Sequence, residues 1–83
     1  MSMPEILRIF GLRFYFYSRE HEPMHVHVKS SDGIAKFILT SDGVLLETNN
    51  GMSQKDIRCA EMVLEENREL AMEKWNEYFG SSL

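Results

Sequence analysis

His21, His25 and His27 fall within the short run His-Glu-Pro-Met-His-Val-His-Val that begins at His21. Imidazoles titrate near neutral pH, so such a run can bind metal or move protons. Successive side chains of a strand alternate between faces, which puts His25 and His27 on the same side. In the metal reading they ligate zinc or copper, with His21, Glu20 or Glu22 completing the site. In the acid–base reading one imidazole takes the proton of a ribose 2′-hydroxyl and the other protonates the leaving oxygen. That would be a metal-independent ribonuclease or phosphodiesterase, with Arg8 or Arg13 stabilising the pentacovalent phosphate. Nucleotide hydrolysis of the histidine-triad type is a third chemistry. It needs another histidine in the alternation, and the residue after Val28 is Lys29. Outside the metal reading, no cofactor is implied.

The elements that would position these groups are set by turn residues. Phe10-Gly11, Asp32-Gly33 and Asp42-Gly43 each separate runs rich in β-branched and aromatic residues, a pattern of tight hairpins. Taken as two-residue loops, they predict strands at Ile6–Ile9, Leu12–Tyr17, His25–Ser31, Ile34–Ser41 and Val44–Thr48. Register then places Arg8 opposite Arg13, Lys29 opposite Lys36, Tyr17 opposite His25 and Tyr15 opposite His27. One face collects Leu7, Ile9, Leu12, Phe14, Phe16, Val26, Val28, Phe37, Leu39 and Leu46. The other collects Arg8, Arg13, Tyr15, Tyr17, His25, His27, Lys29 and Lys36. Like charges set directly opposite repel, and an anion between them would relieve the repulsion. Cations interleaved with aromatic rings suit a phosphate-bearing ligand, RNA or a nucleotide. Arg8, Arg13, Lys29 and Lys36 would hold phosphate, Tyr15 and Tyr17 would pack on base or sugar, and His25 and His27 would be the acid–base pair.

After Asn49-Asn50-Gly51, Ser53 is the expected cap of a helix running to Phe79, with Gly80 as its stop. Ile57, Ala60, Leu64, Ala71, Trp75 and Tyr78 recur at helical spacing, widened by Val63, Leu70 and Phe79. Unbroken, this helix would be about 40 Å long and would overhang the sheet. It must bend or split near Asn67, or pack on a second copy of the chain. The expected architecture is α+β: one domain over 1–83, with a five-strand antiparallel meander in 1–50 covered on one face by the helix of 53–79.

Composition sets the outer limits. The chain has 83 residues, 27% of them charged, and a net charge of −4. This argues against indiscriminate nucleic-acid binding by the molecule as a whole. No stretch approaches the ~20 apolar residues that cross a bilayer. The first ten residues are too short and strand-like for a signal peptide, and the lone Cys59 cannot form an internal disulfide, so a cytoplasmic location is expected. Cys59 and Trp75 read as packing residues.

Several segments together resemble the bacterial domain-of-unknown-function family numbered 4160. They are Pro4-Glu5-Ile6-Leu7-Arg8-Ile9, Arg13-Phe14-Tyr15-Phe16-Tyr17-Ser18, the Glu20–Val28 block, Ala35-Lys36-Phe37, Glu65-Glu66-Asn67-Arg68-Glu69-Leu70 and Trp75-Asn76-Glu77-Tyr78-Phe79-Gly80. The resemblance implies a small prokaryotic protein encoded beside a partner in a toxin–antitoxin-like pair. It brings no established activity. The reading that follows is a toxin–antitoxin-type protein binding RNA or a nucleotide on the Arg/Tyr/His face. The alternatives are a non-enzymatic module that binds the neighbouring gene product, and a metal-binding protein using His21, His25 and His27.

Overall fold

Turn chemistry and alternation build an antiparallel sheet followed by two helices. The computed structural model describes residues 5–17 and 23–80. Its strands are β1 (Glu5–Ile9), β2 (Leu12–Tyr15), β3 (His25–Lys29), β4 (Ile34–Thr40) and β5 (Gly43–Asn50), followed by α1 (Gln54–Glu66) and α2 (Arg68–Phe79). The strands pair in chain order, as expected for a meander.

The first turn is the two-residue loop expected. Phe10 and Gly11 both have positive φ, 57° and 76°, and Arg8 faces Arg13 across it. The next two hairpins are shifted. Lys29 pairs with Ile34 and Lys36 with His27, so the expected Lys29–Lys36 pair does not form. Likewise Val44 pairs with Leu39 and Gly43 with Thr40. A repeated loop chemistry accounts for both shifts. In Ser30-Ser31-Asp32-Gly33 the Ser30 hydroxyl accepts from the Asp32 and Gly33 amides, each at 3.1 Å. In Thr40-Ser41-Asp42-Gly43 the Thr40 hydroxyl accepts from Asp42 and Gly43 at the same distance. The hydroxyl residue opens the turn and glycine closes it, so Ser31-Asp32 and Ser41-Asp42 are the central pairs. Each shift moves both partners by one residue and leaves the faces unchanged.

The apolar face packs on the helices. Phe14, Phe16, Phe37, Val26, Val28 and Leu12 are almost fully enclosed with Ala60, Val63, Leu64, Ala71 and Trp75. Each large side chain so buried contributes about 2 kcal/mol. Leu46 and Ile9 lie on the outermost strands and are about two-fifths exposed (45% and 40%), and on the helices Leu70 and Tyr78 point outward. Ser53 caps α1 by accepting from the Asp56 amide, as its position predicts.

The helix does not run unbroken. At Asn67 the carboxamide donates to the Val63 carbonyl at 2.8 Å, and the backbone leaves helical geometry with φ −117° and ψ 22°. The side chain competes for a carbonyl the helix needs. The break lets α2 turn across the end of the sheet, where the Trp75 ring meets Phe16 and His25. Glu65 ties α1 to the sheet edge by accepting from the Val44 amide at 2.8 Å.

Candidate functional site

On the polar face, cross-strand register sorts the side chains into rows. One row runs Arg8, Arg13, Lys29, Ile34, Asn50 from β1 to β5. The next runs Glu5, Tyr15, His27, Lys36, Thr48. A third holds His25, Ile38 and Leu45. Directly opposed side chains in such rows stand about 5 Å apart.

Two irregularities shape these rows, and alternation along the sequence hides both. In β1 the pairing slips between Glu5 and Leu7, which brings the Glu5 carboxylate onto the basic face. Glu5 grips Arg8 through two hydrogen bonds of 3.0 and 3.1 Å, while Arg13 lies 4.0 Å away. The hydrogen bond from Arg8 holds the Glu5 carboxyl below its ordinary range, and Glu5 in turn raises the Arg8 guanidinium. The anion expected between Arg8 and Arg13 is therefore supplied by the chain itself. In β5 the second slip, around Glu47, turns Thr48 and Asn50 onto the polar face. Strict alternation from Val44 and Leu46 would have sent both to the core side. Glu47 pairs with Lys36 at 3.2 Å.

Arg13 is left poorly served. Its Nε is enclosed without a hydrogen-bond partner, and directly opposite stands the exposed Lys29, which has no ion pair among the described residues. Among the described residues, Arg13 and Lys29 form the least compensated charge on this face.

Beside them, Tyr17, His27, Ile34, Ala35, Lys36, Thr48 and Asn50 line a groove of about 300 Å³. The Tyr17 ring leans over His27 with centroids 4.1 Å apart, Tyr15 stacks on His27 at 5.7 Å, and the two tyrosine rings meet edge-on at 5.6 Å. Thr48, Asn50 and Ile34 were not singled out by composition or spacing; only the β5 slip and the true β3–β4 register bring them here. A second cleft of similar size lies between β1 and α2, lined by Glu5, Ile6, Phe16, Lys74, Glu77 and Tyr78. It mixes charges of both signs and shares only Glu5 with the basic face.

The expected open face is in fact half closed. Tyr15, His25 and His27 are buried, at 3%, 2% and 9% exposure, whereas Tyr17 is on the surface. Tyr17 stands beyond the end of β2 and does not pair with His25, whose ladder partner is Ile38. Burial, reinforced by a hydrogen bond with Tyr17, pushes the Tyr15 phenol up to about 12. His25 lies behind the groove, its ring meeting His27 at 5.1 Å and Trp75 at 5.2 Å. Its Nδ1 sits 2.6 Å from the Pro23 carbonyl oxygen. A carbonyl only accepts, so Nδ1 carries the proton and in the neutral ring Nε2 holds the lone pair. A two-imidazole mechanism needs both rings at the phosphate, and of the two only His27 lines the groove.

The metal trio cannot be assembled from what is described, because His21, with Glu20 and Glu22, lies outside the described residues. Among the described residues no group of three or more His, Cys, Asp or Glu side chains is placed to hold a metal ion. No helix is long and apolar enough to cross a membrane.

Comparison with known proteins agrees with the resemblance carried by these segments. The family model described as Domain of unknown function (DUF4160) matches residues 11–76, and the chain belongs to that family. No curated protein and no solved structure matches it.

Proposed function

We propose that this member of the DUF4160 family is a cytoplasmic protein of the toxin–antitoxin type that binds a phosphate-bearing ligand, RNA or a nucleotide, on its basic sheet face. The observation that carries the reading is the direct opposition of Arg13 and Lys29 across β2 and β3, with the nearest carboxylate among the described residues committed to Arg8. Two cations held side by side by backbone pairing are destabilising unless an anion joins them. A phosphate between them accepts charge-assisted hydrogen bonds from both. The groove next to this pair adds Lys36, His27 and the Tyr17 ring. The placement of His25 behind His27 and against Trp75 favours binding without cleavage.

The test is binding of a short RNA and of nucleotides to wild type and to the double change Arg13→Ala, Lys29→Ala, with folding checked by circular dichroism. Loss of salt-dependent binding in the variant is expected, and equal affinity in the two proteins would remove the pair from the mechanism. RNA cleavage by wild type, abolished in His25→Ala, His27→Ala, would replace binding with catalysis.

A second reading, a non-enzymatic module for the neighbouring gene product, is favoured by the sheet edge. β5 is an outermost strand that exposes Leu45 on one face and Leu46 on the other, at 60% and 45%. An unpaired apolar edge is a ready template for another strand. Exposed Leu70 and Tyr78 on α2 offer a second apolar contact, including one with another copy of the chain. Co-purification with the neighbouring product, lost in Leu45→Lys, would support this reading.

A further inference from the structure

We infer that the groove beside Lys36 is a subsite for one unstacked base of a single-stranded nucleic acid whose backbone follows the Arg8–Arg13–Lys29 row; the inference rests on the phosphate-binding reading above. The row and the groove are continuous, because Lys29 is paired to Ile34 and Ile34 to Asn50, and both Ile34 and Asn50 line the groove. Strand spacing of about 4.8 Å makes the row from Arg8 to Asn50 roughly 19 Å long. A free mononucleotide seated in the groove would reach Lys29 and leave Arg13 and Arg8 beyond it. A strand of several nucleotides would engage all of them.

The groove has the parts that recognise a base. Tyr17 offers a partly exposed ring for stacking, the contact that tolerates any base. Thr48 and Asn50 offer hydrogen-bonding groups that show no partner among the described residues, and Asn50 carries a donor and an acceptor side by side. A planar edge with one donor and one acceptor can satisfy both at once, which gives this subsite a means of telling bases apart. A duplex would keep its bases stacked and paired, so the subsite requires a single strand.

The experiment measures binding of fluorescein-labelled ten-nucleotide homopolymers, in ribo and deoxy forms, together with a hairpin duplex. The proteins are wild type, Asn50→Ala and Tyr17→Leu, both at exposed side chains, and each is titrated at several salt concentrations. Wild type is expected to prefer single strands over duplex and to rank the homopolymers over a range of about tenfold. Asn50→Ala should flatten that ranking while keeping the salt slope, and Tyr17→Leu should weaken all single strands about tenfold. A ranking unchanged in both variants, with salt-dependent binding intact, overturns the base subsite and leaves the phosphate reading standing. Absence of salt-dependent binding to every oligomer overturns both.

Discussion

Glu5 is the internal competitor of any anion that binds this face, so removing its charge should strengthen binding. The carboxylate holds Arg8 in two hydrogen bonds and stands at the limit of an ion pair with Arg13. An incoming phosphate must displace it or make do with Lys29 and half of Arg13. Among the described residues around the site, Arg8, Arg13, Lys29 and Lys36 face Glu5 and Glu47, which leaves a net charge of about +2 for a ligand to meet. Single strands lose counterions with a slope near −0.7 per neutralised phosphate, so log affinity against log salt should fall with a slope of about −1.4 in wild type. Glu5→Gln raises the local charge to about +3 and steepens the slope to about −2.1. Between 50 and 200 mM salt, affinity should then drop about 7-fold in wild type and about 20-fold in the variant, with the variant tighter at the low-salt end. Fluorescence anisotropy with a labelled ten-nucleotide single strand reads both quantities. Because the Glu5–Arg8 pair lies at the surface (Arg8 side chain 62% exposed), its loss should barely alter stability, and a thermal melt checks this. Identical slopes and affinities in the two proteins would show that Arg8 and Arg13 meet no ligand phosphate, and the basic row would then be a solvated face balanced by its own carboxylates.

Three further outcomes follow from the architecture. Tyr15 holds its proton up to about 12 when folded, against 10.0 ordinarily, so its contribution to stability is complete below pH 10 and is lost as pH rises through that window. Denaturant midpoints measured across it should fall more steeply for wild type than for Tyr15→Phe, and parallel curves would refute the assignment. Phe10 occupies a left-handed conformation, with φ 57°, while its side chain is 64% exposed. Phe10→Asn should therefore stabilise by about 1 kcal/mol in urea unfolding, since asparagine tolerates that conformation and little packing is lost. A Cβ at Gly33 would overlap the Asn50 carbonyl oxygen and press on Gly51 at 2.5 Å. Gly33→Ala should cost about 2 kcal/mol by the same measurement and displace Asn50 from the groove, whereas a stability change near zero would mean that this contact yields easily.

The sheet was legible because its signals are local: alternation assigns faces, and loop residues assign hairpins. Even the misplaced turns at Asp32-Gly33 and Asp42-Gly43 kept every side chain on its expected face, since moving both strands by one residue preserves parity. The helix break was legible for a similar reason, as a continuous helix would outrun the sheet. The site was less legible because its shape depends on features without a local signature. A slip in β1 turns Glu5 from a bystander into the counter-ion of Arg8, and a slip in β5 turns Thr48 and Asn50 into groove residues. Each slip inserts a residue without a ladder partner, and any residue can serve there. Burial was hidden in the same way: Tyr15, His25 and His27 belong to the polar face by alternation, yet ring-on-ring packing and Trp75 from α2 close over them. These departures alter the chemistry more than the fold. The groups expected to act as an exposed acid–base set are buried, and the accessible polar surface lies toward Lys29, Lys36 and Asn50. A face built this way has a buried aromatic base and a more exposed charged rim. On the proposed reading, such a face would hold a ligand by its phosphates and sort it by what fits between Tyr17 and β5.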